Sequence, residues 1–102
     1  MEFEGFEWDA GNVEKCQKHG VSIIEIESLF LSQPIIGPDP QHSASKQRFR
    51  AAGRTASGRA LFVVFTWRTG SDDRLLRPIS ARYMHRKEIE VYEARKKEIP
   101  RI

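Results

Sequence analysis

A single cysteine, Cys16, rules out an intrachain disulfide and fits a reducing compartment. Long apolar runs are missing as well. The longest, "ALFVVF" at residues 60–65, is far too short to span a bilayer, so no membrane partner is expected. The opening "MEFEGFEWD" is acidic and carries no apolar h-region, so no secretory leader is visible and a soluble cytoplasmic protein is the expectation. No strand leads into G-x-G-x-x-G, and no Gly-rich phosphate loop occurs. One cysteine and three dispersed histidines give no zinc-site spacing, and nothing assembles a Ser-His-Asp hydrolase. No metal and no cofactor are therefore expected. Helix-turn-helix and ribbon-helix-helix signals are missing too, which weakens direct DNA binding.

Cations are scarce in one half of the chain and abundant in the other. Residues 1–45 hold eight acids and two lysines, whereas residues 46–102 hold fifteen Lys and Arg against six acids. The modest net charge of +3 hides this asymmetry. The basic half is dominated by Arg, whose planar donor fork suits phosphate oxygens and carboxylates. It is either a solvated charged face or a surface made for phosphate or an acidic partner.

With 102 residues, 39% hydrophobic and 10% aromatic, the chain is expected to form one domain over 1–102 that folds without staples. "FEGFEW" alternates as a short first strand. Asp9 then N-caps a helix through "AGNVEKCQKH", which Gly20 ends. Ser22 and Glu25 form a capping box that opens a second helix, with Ile23, Ile26, Leu29 and Phe30 at helical spacing. The Pro-rich "SQPIIGPDPQHSAS" reads as a loop with a brief strand at "PIIG". Three runs follow as an antiparallel meander, "KQRFRAAGRT", "ALFVVFTW" and "RLLRPISAR", with turns at "ASG" and "TGSDD". The second run is apolar on both faces and so central. In the third, Pro78 demands an edge or a bulge, and Ile79 and Ala81 alternate against Ser80 and Arg82. A last helix over about 83–97 turns Ile89 and Tyr92 inward. The fold class is α+β: a small antiparallel sheet of three to four main strands, two N-terminal helices and a C-terminal helix, with the helices on one face.

The chemistry-bearing residues cluster on this sheet. Period two places Arg48, Arg50 and Arg54 on one face of a strand and Phe49 on the other. Those cations must be wet or paired, because burying an unpaired Arg is costly. Arg82 ends the last strand and converges with them if the meander forms. Such a surface suffices for RNA cleavage. Cations hold the scissile phosphate while the substrate's own 2′-hydroxyl attacks, and an imidazole moves the proton.

"FEWD", "QKHGVSIIEIESLF", "PDPQHS", "QRFRAAGRTASGRALFVVFT" and "RPISARYMHRKEIEVYE" run in order along the chain, and together they resemble the BrnT family of bacterial type II toxins. The resemblance implies a RelE-like fold and a small ribonuclease. It also implies inhibition by a BrnA-like antitoxin, through which alone the pair would reach operator DNA, and the ribosome as a further partner. Lys18, His19 and Gly20 match one family stretch, and Asp39, Pro40, His42 and Ser43 match a second. Arg48 matches the strand arginine, Ser80, Ala81 and Arg82 the strand end, and Glu88 and Tyr92 the last helix. Gln47 departs from the acid that many members carry there, and Lys15 and Cys16 fall in a second departing region. Taken with the basic face, Lys18, His19, Arg48 and Arg82 are the expected catalytic residues. Arg50, Arg54, Arg77 and His42 are expected to bind RNA, and Arg48, Arg54 and Arg82 to bind the antitoxin. Glu88 is either catalytic or a partner that orients a sheet arginine. The competing reading is a non-enzymatic basic module that docks an acidic protein.

Overall fold

The computed structural model describes residues 3–39, 47–69 and 74–98. In chain order these form β1 (Gly5–Phe6), α1 (Ala10–Gln17), α2 (Ile23–Leu31), β2 (Ile35–Pro38), β3 (Phe49–Arg54), β4 (Ala60–Thr69), β5 (Arg74–Tyr83) and α3 (Arg86–Glu98). Residues 70–73 of the "TGSDD" turn and the histidine-bearing part of the Pro-rich loop lie outside the described residues. No helix of the described residues is long and apolar enough to cross a membrane.

Both N-terminal helices open on capping boxes. The Asp9 carboxylate accepts from the Gly11 N–H at 2.8 Å, while the Asp9 N–H donates to Asn12 Oδ1 at 2.8 Å. Ser22 and Glu25 exchange the equivalent bonds at 3.1 and 3.0 Å. Between the helices, Gly20 adopts φ 86°, a left-handed conformation that suits glycine at a helix end.

The sheet has five strands in the order β1-β5-β4-β3-β2, one more than the upper expectation. It is mixed rather than purely antiparallel, since β1 pairs β5 in parallel through Gly5↔Leu75 and Phe6↔Leu76. The meander β3-β4-β5 and the short strand at "PIIG" are as expected, and β4 is central. Ala51, Leu61, Val63 and Phe65 meet Ile26, Leu29 and Phe30 of α2 in the main core. Phe65 is its hub, with ring centroids 5.1 Å from Phe30, 5.6 Å from Phe49 and 5.3 Å from Trp67. Cys16 is buried at its margin, and that burial pushes the thiol up to about 11, which leaves it inert as a nucleophile at neutral pH.

The expectation that all helices share one face is overturned. Ala52, Ala60 and Phe62 alternate with the main-core residues and pack against Ile89 and Tyr92 of α3, so α3 lies on the opposite face from α2. The 83–97 helix begins later, at Arg86, because the strand carries on through Tyr83 and the Met84 N–H donates to the Ala60 carbonyl at 3.0 Å. Simple alternation in β5 fails as well. Val64 pairs Ser80 but Phe65 pairs Pro78, so Ile79 is an extra residue in a β-bulge. The bulge keeps Leu76, Pro78 and Ala81 all toward the α2 core, and it puts Arg77, Ser80 and Arg82 together on the α3 face.

Candidate active site

The α3 face of the sheet is only partly covered by α3, and what remains open is a trough. Its floor is β4, with Phe62, Val64 and Thr66 in line along the strand. α1 walls the β5 side. Gly11, Lys15 and His19 repeat every four residues, so they share one helical face and its extension. Gly11 and Lys15 line one hollow of the trough, of about 270 Å³, and His19 lines the next, of about 210 Å³.

The smaller hollow gathers His19, Arg50, Phe62, Ser80 and Arg82. Arg50 and Arg82 approach one aromatic ring from neighbouring strands: their guanidinium carbons lie 5.1 and 5.0 Å from the Phe62 centroid. The two charges are therefore within about 10 Å of each other. Arg50 also lies 3.8 Å from the Asp39 carboxylate, whose side chain is fully buried. Arg82 is gripped in a bidentate pair by Glu88, at 2.8 and 2.7 Å. Glu88 in turn accepts the His85 N–H at 3.1 Å and so caps α3. The Arg82 guanidinium, with help from that N–H, holds the Glu88 carboxyl down at about 2, and Glu88 in return raises Arg82. The pair fixes the plane of the Arg82 fork, while a guanidinium carries more donors than these contacts use.

The other expected residues take different places. Arg48 lines the larger hollow with Lys15 and Arg77. Arg77 is largely buried, and its fork is given to Glu7 at 3.0 Å and to Asp9 at 2.8 and 3.2 Å. It thereby holds the N-cap of α1 against β5, and the Asp9 carboxyl is lowered, first of all by that bond. Arg54 stands at the far end of β3, bonded to Glu93 of α3 at 2.9 and 3.2 Å and to the Gly58 carbonyl at 2.8 Å. Lys18 is the exposed C-cap of α1, one residue before His19. His42 lies outside the described residues. The structure therefore brings together His19, Arg50 and Arg82, sets Arg48 in the adjoining hollow, and leaves Arg54 apart.

Phe62 and Lys15 are not among the expected site residues. Phe62 sits in a run apolar on both faces, where nothing marks it off from its core-facing neighbours. Lys15 carried a usable signal, its four-residue spacing from His19 on a capped helix.

Residues 8–88 match a protein-family model described as ribonuclease toxin, BrnT, of type II toxin-antitoxin system. The chain belongs to the BrnT family. The matched span includes His19, Arg48, Arg50, Phe62, Arg82 and Glu88, and it ends in the first turn of α3. Among curated proteins, no match to the chain was found. A BrnT-family toxin is a ribonuclease toxin by description, and a type II system implies an antitoxin partner.

Proposed function

We propose that this BrnT-family chain is a metal-independent endoribonuclease that halts translation by cleaving RNA, and that a BrnA-like antitoxin neutralises it in the cytoplasm. The observation that carries the reading is the convergence of Arg50 and Arg82 over Phe62, in the hollow that His19 also lines. A phosphodiester bound there meets two guanidiniums, which suit non-bridging oxygens and stabilise the charge that grows on them as phosphorus becomes five-coordinate. The Phe62 ring offers a face for an adjacent base. His19 is the imidazole of this hollow and takes the 2′-hydroxyl proton or supplies one to the leaving 5′-oxygen. Lys18 and Arg48 add positive potential along the strand's path. Glu88 does no proton transfer, since its carboxyl is held ionised, and it serves by orienting Arg82.

The test is purified protein, freed of antitoxin, with RNA in EDTA. Products ending in 2′,3′-cyclic phosphate and 5′-hydroxyl are expected. Arg82→Ala combined with Glu88→Gln removes the cation without unmasking a carboxylate, and should lower the cleavage rate by about 100-fold or more. Cleavage that stops in EDTA, or that survives this double variant and His19→Ala unchanged, overturns the assignment.

A further inference from the structure

Beyond the catalytic hollow, α3 and the β2–β3 edge of the sheet enclose a larger groove of about 530 Å³. Its lining is mainly aliphatic and aromatic, with Ile35, Ala52, Phe62 and Tyr92 at the base and Ile36 and Val91 toward solvent. Val91 is 61% exposed and Ile36 37%, although each stands beside a partly buried apolar cluster. Arg50, Lys87 and Arg95 line the same groove, and the one acid among its described residues, Glu88, is committed to Arg82. An apolar cleft ringed by cations fits a chain segment that carries apolar side chains between carboxylates. It fits a nucleic acid poorly, because exposed aliphatic side chains neither stack a base nor bond its edge.

We infer that this groove is the seat of an acidic, apolar segment of the antitoxin, a conclusion that rests on the toxin-antitoxin reading above. Arg50 and Phe62 line both the groove and the catalytic hollow. A segment seated in the groove therefore covers part of the RNA site, and a carboxylate beside Arg50 takes the place of a phosphate. Neutralisation is competitive with RNA and needs no change in the toxin's shape.

The test uses the toxin and the antitoxin encoded beside it, with affinity measured by calorimetry in the absence of RNA. Val91→Lys removes the apolar anchor but adds a cation. Val91→Glu removes it and also draws Lys87 and Arg95 into i,i+4 pairs on α3, which keeps the helix folded. Val91→Glu should weaken binding at least ten-fold, and more than Val91→Lys, with Ile36→Glu acting in the same direction. Each variant should melt close to wild type and cleave RNA at the wild-type rate once freed. Unchanged antitoxin affinity in Val91→Glu and Ile36→Glu overturns the proposal. So does a larger loss from Val91→Lys than from Val91→Glu, or a loss of RNA affinity with antitoxin binding intact, which would make the groove a substrate site. Failure of the enzyme reading shows separately, as wild-type protein that binds antitoxin but cleaves no RNA.

Discussion

Two residues decide how the trough is held: Asn12, which no expectation named, and Glu88, expected either as catalytic or as the partner of a sheet arginine. Asn12 is buried, and its amide donates to the Glu7 carbonyl at 2.9 Å and to the Pro78 carbonyl at 2.8 Å, tying α1 to the bulged strand. Asn12→Ala should cost about 1–3 kcal/mol in urea unfolding, since it leaves buried acceptors without a donor. Glu88 makes the second prediction. Its carboxyl is held at about 2 against an ordinary value near 4.5. A depressed carboxylate adds stability above its unfolded value, so the gain is full above about pH 4.5 and fades as pH falls toward about 2. Glu88→Gln should therefore be less stable than wild type at neutral pH, with the gap closing across that window in pH-resolved denaturation. The pairing of Glu88 with a sheet arginine was legible as one of two alternatives, whereas the role of Asn12 was not. Asp9, Ser22 and Gly20 announce their roles locally, because caps depend on neighbours two or three residues away. Arg77 and Arg82 look alike in the sequence, and only long-range partners separate a structural arginine from one left facing the trough.

At the scale of elements, β5 is where periodicity misleads. Strict alternation would set Arg77 and Arg82 on opposite faces, because they are five residues apart in the sequence. The extra residue at Ile79 restores both to the trough and both flanks of the strand to the core. Pro78 signalled an irregularity but not its consequence, since a bulge is defined by the partner strand as much as by its own residues. Deleting Ile79 should leave a cooperative fold, because Pro78 opposite Phe65 and Ser80 opposite Val64 then run on as a regular ladder with Arg77 and Arg82 still on one face. Deleting Val64 of β4 should abolish it by turning one flank of that strand's core residues outward. Thermal melts of the two deletions check both outcomes. A similar close fit sits beneath α2. A Cβ on Gly53 would meet Leu29 Cδ1 at 2.8 Å and Pro34 Cβ at 3.3 Å. Gly53→Ala should therefore lose about 1–3 kcal/mol, in spite of the usual gain from replacing glycine in a strand.

Over the whole molecule, the charge asymmetry along the chain does not survive folding intact. Acids of the N-terminal half fold back onto the basic half: Glu7 pairs with Arg68 and Arg77, Asp9 with Arg77, and Asp39 with Arg50. Glu93 takes Arg54 and Glu88 takes Arg82. The sequence shows the surplus of arginine correctly but not how much of it is spent on holding helices to the sheet. This matters for RNA. Each phosphate neutralised on a single strand contributes about 0.7 to the slope of log affinity against log salt. A chain using all its cations would show a steep slope, whereas one using the trough alone should show a shallow one, set by a few contacts. Removing Arg50 and Arg82, with Glu88→Gln to keep the hollow free of a bare carboxylate, should flatten that slope by about 1.4. Arg54→Ala paired with Glu93→Gln, which deletes a cation that stands apart from the trough at the far end of β3, should leave the slope nearly unchanged. Titrations of a short RNA at several salt concentrations measure both. Equal flattening by the two sets would mean that binding spreads over the whole basic surface and that the trough has no special claim on the substrate.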